Sequence, residues 1–489
     1  MEKHIIHKVY LDLTTSSIAE AHHLKENIGS FLNSEVLPLL EKQMDTIDDD
    51  MSSYAIRLDQ VHVEITQNGT QLNNELKHTI VDTIKTETKE AIKTIGDAVK
   101  PTEEIIKKRK LFSKGAHQTE TFIHFLKTGT NPWWSSESIT KLMTPKNVKR
   151  LLETRGFITK IISIFRDHKV RNRALNQLTK ASLKEICIAI VKESHTLEIT
   201  EVELQQISKR PVVQQQQIWK EVLKAITYQE PIDVITLITT VKEETSLHKR
   251  REKELQKEKN KQVGNKKEAK KQEKRIENTS DSLQDPSAQT AITKETIDAL
   301  IHPESSQKQI EAATIPTETS DQAAVIEGEY VQNAGLVLIH PFLTHFFSHC
   351  NLLDEQKQLK DPEHCVHLLH YIATGKTKQA ESDMVFEKFL CNIPIHESIN
   401  RNRTITKKQK EQVTNLLNAV NENWGALKKS SHTLLQHEFL QRLGKIEKNS
   451  NGTTIQIEGK THDILLKKLS WGLGLIRLPW KKEFMFVNW

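Results

Sequence analysis

The sequence predicts a mainly α-helical protein with a small α+β module at each end and a charged helical or disordered spacer between them. Three observations lead to this fold class. Apolar residues recur at helical spacing over long stretches, alternation with period two is confined to short segments near the ends, and the interior holds a long run poor in apolar side chains. The 489 residues include only 16 Gly and 13 Pro, which favours helix over a turn-rich β fold. This length predicts two or three domains.

Two strands and two helices are predicted near the N-terminus. Residues 5–13 alternate apolar with polar side chains, and residues 56–65 place Val61, Val63 and Ile65 on one face, the period of a half-buried strand. Residues 17–44 and 72–100 instead carry apolar side chains at helical spacing, and Pro101 marks the expected end of the second helix. An aromatic segment with two adjacent tryptophans follows.

The pattern changes three times along the chain, which predicts four parts. Several amphipathic helices are expected after the first module, then a low-complexity segment, and then a second folded region. The parts are an N-terminal α+β module with a helical arm and a Trp-Trp motif, a helical region, a charged spacer and a C-terminal α+β domain, at residues 1–138, 139–244, 245–329 and 330–489.

The spacer has a basic half and an acidic half. Residues 249–277 hold thirteen Lys/Arg and six Glu, whereas residues 281–329 hold ten Asp/Glu, two Lys and no aromatic side chain. Because so little apolar surface cannot offset the entropy of ordering a chain, we predict a solvated helix or a disordered segment. The opposite charges also predict that the halves associate, within or between chains, more strongly at low salt.

The C-terminal domain contains a hairpin signal and a fragment of a phosphate-binding motif. Asn451-Gly452 lies between two extended segments, which predicts a β-hairpin. The segment TGKT at 374–377 contains Gly-Lys-Thr, but His370 stands where a phosphate loop needs its first glycine. A helix C-cap at Gly375 is therefore the favoured interpretation.

Histidines and cysteines are dense in this domain without forming a metal-binding motif. The pairs His345/His349 and His367/His370 have spacings that suit one helix face, yet there is no CxxC pair and no HExxH motif. We therefore predict scattered, partly exposed histidines and no bound metal, which metal analysis would test. The set is His340, His345, His349, Cys350, His364, Cys365, His367, His370, Cys391 and His396.

Composition argues against several classes of protein. The net charge is +6, but outside residues 249–277 the chain has 57 basic and 58 acidic residues, so no basic groove for nucleic acid is indicated. The apolar runs are far shorter than the ~18 residues of a membrane span, and no signal peptide is predicted. Four cysteines in so long a chain indicate a reducing compartment. No catalytic constellation or cofactor motif is found, so we predict no enzyme and no cofactor.

Long motifs at both ends resemble those of the contractile injection system tape measure family, whose members belong to phage-tail-like particles that inject toxins. The N-terminal motifs are HIIHKVYLDL, LDQVHVEI and FIHFLKTGTNPWW. The C-terminal motifs are NAGLVLIHPFL, YIATG, FEKFLCNIPI, NWGALKKSSHTLLQHEFLQRLGKI and LSWGLGLIRLPWKKEFMFVNW. The resemblance covers residues 1–180 and 330–489, and the spacer matches nothing specific.

The resemblance implies a ruler that lies along the lumen of a growing inner tube. The expected partners are inner-tube subunits, baseplate or tip proteins and tube-terminating proteins, with several copies of the chain per particle. The expected location is the bacterial cytoplasm during assembly and then the injection particle. A wholly helical chain would span at most ~730 Å, and residues 139–329 alone ~290 Å.

Aromatic residues in turn contexts are candidate interface anchors, because such side chains dominate binding surfaces. Pro132-Trp133-Trp134 follows a glycine-containing turn, and Leu478-Pro479-Trp480 follows a Gly-rich apolar segment. For each tryptophan taken singly, packing in the core is the favoured interpretation. Together with other residues of the family motifs, the candidate interface residues are Trp133, Trp134, Pro341, Phe342, Trp424, Trp471, Arg477, Pro479 and Trp480.

A second function is compatible with the sequence. The chain could be an adaptor or scaffold fixed in the baseplate or tail tip, with its middle segment serving only as a tether. Changing the length of the spacer discriminates between the ruler and the adaptor. The tube length should change with the spacer of a ruler, whereas it should not depend on the length of a tether.

Overall fold

The structure is a computed structural model. It describes residues 4–15, 17–50, 54–58, 60–66, 71–96, 110–135, 137–194, 197–247, 250–251, 254, 328–428, 430–449 and 452–489. Most of the predicted spacer lies outside these residues, as do Pro101 and Asn451.

Helices dominate the first half of the chain. In order, the elements up to residue 247 are α1 (Ile18–Phe31), a π-helical turn (Leu32–Val36), α2 (Leu37–Asp50), β1 (Tyr54–Arg57), α3 (Asn74–Gly96), β2 (Lys110–Ser113), α4 (Lys114–Thr128), α5 (Ile139–Leu142), α6 (Pro145–Leu152), α7 (Phe157–Phe165), α8 (His168–Gln177), α9 (Lys180–Glu193), α10 (Glu201–Ile207), α11 (Val212–Tyr228) and α12 (234–247).

The C-terminal part combines helices with a sheet. Its elements are β3 (Glu329–Val331), a 3₁₀ helix (Ala334–Ile339), α13 (His340–His349), α14 (Pro362–Thr374), a 3₁₀ turn (Glu381–Met384), α15 (Val385–Leu390), α16 (Lys407–Asn423), α17 (His432–Leu434), a π-helical turn (Leu435–Leu440), β4 (Gly444–Asn449), β5 (Gly452–Ile457), a 3₁₀ helix (Thr461–Lys468), β6 (Leu475–Ile476) and β7 (Met485–Asn488).

The chain forms two compact units that interleave in sequence. The N-terminal unit comprises residues 1–167 and 178–193, and the C-terminal unit comprises residues 168–177 and 194–489, in each case as far as the structure describes them. Helix α8 therefore belongs to the C-terminal unit although its neighbours in sequence belong to the other. The mainly α fold class with small sheets is confirmed, while the four predicted parts remain a prediction.

The described part of the N-terminal unit buries apolar side chains around α1 to α3 and around α4. Helices α1 and α2 pack against α3 through Phe31, Val36, Leu40 and Val81, as the helical spacing of both segments predicts. Ser17 caps α1 by accepting a hydrogen bond from the Glu20 amide. A second core surrounds α4, whose buried face includes Phe122, Phe125 and Leu126.

The two predicted N-terminal strands are wrong in position. Residues 4–15 form no strand. Among the described residues of the second predicted strand, 56–65, only Ile56 and Arg57 lie in a strand, β1, which pairs with β2. Period-two alternation shows which residues share a face, but a strand also needs a partner and a surface to cover. Ile5, Val9 and Leu11 remain 39%, 58% and 50% exposed, so their apolar face has no such cover within the described chain.

The C-terminal unit contains a mixed five-stranded sheet in the order β3-β4-β5-β7-β6. All neighbouring strands are antiparallel except β5 and β7. The β4–β5 hairpin is confirmed, with Asn449 opposite Gly452. The predicted C-cap is also confirmed, because Gly375 ends α14 in the left-handed region at φ 68° and donates its amide to the Tyr371 carbonyl.

Candidate functional site

The Trp-Trp motif forms an aromatic cluster in the N-terminal unit. Trp133 stacks on His7 with ring centroids 4.5 Å apart, and Trp134 meets Trp133 edge-on at 6.0 Å. Gly129 positions the pair, because it ends α4 at φ 82° and turns the chain back over the helix. Trp133 is 39% exposed, so part of its ring is available to a partner.

Arg57 supports this cluster from strand β1. Its guanidinium lies 4.1 Å from the Trp134 ring centroid and 4.7 Å from that of Phe112, and it pairs with Glu120 at 3.5 Å. Burial lowers the pKa of Arg57, and the charge of Glu120 opposes that shift. The exposed Trp133 ring therefore rests on an ordered layer and not on a mobile side chain.

Three of the predicted C-terminal tryptophans lie inside the C-terminal unit. Trp424 and Trp480 are 0% and 3% exposed, and Trp471 is partly buried. Each indole donates a hydrogen bond to a distant backbone carbonyl: Trp424 to Leu465, Trp471 to Leu338 and Trp480 to Leu390, at 3.2, 2.8 and 2.9 Å. They hold segments of the unit together.

The other candidate residues are divided between core and surface. Phe342 is buried and packs edge-on against Trp471 with ring centroids 5.2 Å apart, and Pro341 lies in the first turn of α13 in a partly buried position. Arg477 and Pro479 are exposed. An interface role for the nine residues stays a prediction.

An exposed apolar patch lies on the outer face of the sheet, and the sequence interpretation missed it. Leu475 of β6 faces Phe486 of β7 directly across the ladder, and they are 54% and 42% exposed. Phe484 is 47% exposed, and the Arg477 guanidinium lies 5.1 Å from its ring centroid. The sequence contains a signal for this patch. Phe486 lies between Met485 and Val487, and because side chains alternate along a strand, it faces the side of the sheet opposite to theirs.

A buried ionic network is the least expected feature of the C-terminal unit. The side chains of Arg173 in α8, Glu381 in the 3₁₀ turn before α15 and Lys388 in α15 are fully buried. The Glu381 carboxylate pairs with Arg173 Nε through one oxygen and lies 3.7 Å from Lys388 Nζ through the other. Burial raises the pKa of Glu381 and lowers that of Lys388, and the attraction between them opposes both shifts.

The network fixes the loop that follows α15. Lys388 donates to the carbonyls of Ile395 and Glu397, and Arg173 donates to that of His396. Glu381 accepts from the Ile399 amide at 3.1 Å. These carbonyl oxygens add to the compensation that the Glu381 carboxylate gives the two buried cations.

The histidines and cysteines are dispersed. Within the described ranges, no group of three or more His, Cys, Asp or Glu side chains is placed to hold a metal ion. His370 meets Glu387 at 2.9 Å, and Asn333 donates to the same carboxylate at 2.8 Å, but His370 and Glu387 are 4% and 0% exposed. A histidine beside a carboxylate is a combination found in catalytic sites, but both side chains are enclosed in the protein interior.

His367 makes the stability of the C-terminal unit depend on pH. It is 4% exposed, its Nε2–H donates to the Asn400 carbonyl at 2.9 Å, and burial lowers its pKa to about 4. In the unfolded chain this histidine has its ordinary pKa near 6.5, so between pH 4 and pH 6.5 the unfolded state binds more protons than the folded state. This contribution to stability is therefore complete above pH 6.5 and falls by about 3 kcal/mol as the pH is lowered to 4.

Urea unfolding from pH 7 to pH 4 measures this dependence. His367→Gln, which retains a donor for Asn400, is expected to flatten the pH profile, whereas His349→Gln at an exposed position should leave it unchanged. Equal slopes for His367→Gln and the wild type would contradict the assignment.

In the part of the chain that the structure describes, none of the helices has both the length and the hydrophobicity of a membrane span.

The whole chain is similar to a described protein family. The model of the family "Contractile injection system tape measure protein" matches residues 3–489, so the match includes both aromatic regions, the ionic network and the spacer. Comparisons with curated proteins and with solved structures give no significant match.

Proposed function

We propose that this chain, which belongs to the contractile injection system tape measure protein family, sets the length of the inner tube of a phage-tail-like particle. The chain lies along the lumen while tube subunits polymerise around it, and growth stops where the chain ends. No step of this function needs a catalytic group or a cofactor.

The observation that carries the proposal is the match over residues 3–489, which includes the spacer as well as both folded ends. A ruler must convert residue number into distance, and an α-helix does so at about 1.5 Å per residue. Helices α6 to α12 occupy most of residues 145–247, immediately before the spacer. The helical region and the spacer therefore supply the measuring length in this proposal.

Exposed apolar surfaces near the two ends of the chain suggest where partners bind in this proposal. Exposed Trp133 at one end and the patch of Leu475, Phe484 and Phe486 at the other are the surfaces that would engage baseplate, tip or terminating proteins. Inner-tube subunits would surround the stretch between them, and several copies of the chain would share the lumen. Assembly would take place in the bacterial cytoplasm before the chain becomes part of the particle.

A baseplate or tail-tip adaptor is the second candidate. It is favoured by the dense core of the C-terminal unit, in which residues 334–339 of the 3₁₀ helix are all buried. A unit packed in this way would have to unfold to become an extended rod. In the adaptor function both units stay folded and the spacer is a tether.

Changing the length of the spacer tests the ruler. Deletion of residues 249–329 is expected to shorten tubes by ~120 Å if this stretch is helical in the particle, and by up to ~270 Å if it is extended. Duplication should lengthen them by the same amount. Electron microscopy of purified particles measures the length.

A spacer of unchanged length and composition but scrambled order is the matched control, and it should give tubes of normal length. If deletion and duplication also give normal tubes in normal yield, the ruler function is wrong and the adaptor is supported.

A further inference from the structure

We propose that helix α8 is a clasp that closes the middle of the chain into a loop and must open before that loop can contribute to tube length. The clasp consists of α8 together with the residues it contacts between 381 and 401. Arg173 and Glu381 pair although 208 residues separate them in sequence. This inference rests on the proposed ruler function and concerns how many residues of the chain contribute to the length of the tube.

Polar contacts along one side of α8 hold the clasp together. They join side chains and one carbonyl of α8 to side chains and backbone of the opposing segment. Arg173 donates to the Glu381 carboxylate and to the His396 carbonyl. Gln177 donates to the Ile399 carbonyl at 2.8 Å and accepts from the Glu381 amide at 3.1 Å. Asn176 donates from Nδ2 to Ser398 Oγ at 3.2 Å, and its carbonyl accepts from the Arg401 amide at 3.2 Å.

The chemistry of these contacts suits an interface that can separate. Every group in the set can bond to water once released, and the sequence of α8, HKVRNRALNQ, is mainly polar. A buried salt bridge fixes geometry, yet its Coulombic attraction is largely offset by desolvation. Among apolar side chains, α8 buries Val170, Ala174 and Leu175, which is a small surface for a ten-residue helix.

The closed clasp has a direct effect on length. Because α8 is held against residues 381–401, the two ends of the chain segment 178–328 cannot separate far. That segment has about 150 residues and would span ~225 Å as a single helix. With the clasp closed it adds almost nothing to the distance between the chain ends, and with the clasp open it adds its whole length.

A disulfide across the clasp tests the proposal in the full-length chain. Asn176→Cys/Ser398→Cys places two thiols at positions whose side chains are hydrogen-bonded at 3.2 Å. Each single variant is a control, and Glu447→Cys/Thr454→Cys, across paired positions of β4 and β5, provides a disulfide that closes no long loop. Particles are produced in bacteria with an oxidising cytoplasm, sized by electron microscopy and analysed by non-reducing electrophoresis.

We expect that the chain with the clasp disulfide gives either no particles or tubes that are shorter by ~225 Å. When the same variant is assembled under reducing conditions, the tubes should have normal length. The single variants and the β4–β5 pair should assemble normally. Tubes of normal length that contain the intact clasp disulfide would overturn the proposal, as would failure of the disulfide to form in the free protein.

The ruler itself can fail separately. If the reduced double variant gives tubes whose length follows the spacer, while the disulfide has no effect, the ruler stands and the clasp is wrong. If tube length ignores the spacer under reducing conditions, the proposed function is wrong instead.

Discussion

Glu381→Gln is expected to destabilise the C-terminal unit by about 3–5 kcal/mol, the range for removing one partner of a buried ion pair. The substitution leaves Arg173 and Lys388 buried with no carboxylate between them. Both buried cations would then lose the charged partner that Glu381 provides, so their burial would be less well compensated. The shape of the side chain hardly changes, so the loss measures charge and not volume.

The expected loss can be measured by urea unfolding at pH 7 together with amide hydrogen exchange over residues 381–399. Asp361→Asn is the matched control, because Asp361 pairs with Arg403 at 3.1 Å while their side chains are 37% and 38% exposed. Such a pair contributes 0 to about 1 kcal/mol. Similar losses for the two variants would contradict the idea that burial makes the Glu381 pair critical.

A triple variant separates the cost of an unpaired charge from the value of the network. Arg173→Met/Glu381→Leu/Lys388→Met removes all three charges, and buried ionic groups replaced by apolar residues of similar volume often leave stability unchanged or raised. We therefore expect the triple variant to be more stable than Glu381→Gln. Strictly additive losses would show that the network itself stabilises the fold.

Much of the fold could be predicted because its signals are local. The helical spacing of residues 17–44 and 72–100 gave α1, α2 and α3, and Asn451-Gly452 gave the β4–β5 hairpin. Gly375 was predicted as a C-cap because a left-handed residue after a helix is a local requirement. These elements depend on neighbours within a few positions.

The ionic network could not be predicted, because its members are distant in sequence. Nothing in HKVRNRALNQ distinguishes Arg173 from the exposed cations around it, since its partner Glu381 lies 208 positions away. Trp480 shows the same limit. Its turn context left an interface anchor and core packing both open, and its hydrogen bond to the Leu390 carbonyl joins residues 90 positions apart.

Gly335→Ala is expected to prevent the C-terminal unit from folding stably, with a loss of at least about 3 kcal/mol. Gly335 lies in the motif NAGLVLIHPFL and in the 3₁₀ helix Ala334–Ile339. A Cβ atom at this position would lie 1.7 Å from the Phe439 carbonyl oxygen and 3.0 Å from the Leu440 Cα. The clash is with backbone, so no change of rotamer relieves it.

The two segments cannot move apart to accept the methyl group at low cost. Residues 334–339 are all buried, and the Ala334 amide donates to the Arg442 carbonyl at 2.9 Å on the far side of the π-helical turn. Separation would break this bond and open the packing of Phe439 on Trp424, whose rings are 4.7 Å apart. The cost therefore includes lost core contacts as well as strain.

Gly425→Ala is the matched control, because a Cβ atom there meets nothing within 4 Å. Its stability is expected to stay within about 1 kcal/mol of the wild type, since the only change is a reduced entropy of the unfolded chain. Urea unfolding followed by tryptophan fluorescence compares the two variants in full-length protein. If Gly335→Ala unfolds at the same urea concentration as Gly425→Ala, the close approach of the 3₁₀ helix to residues 435–440 is wrong. The motif glycine would then need an explanation other than packing.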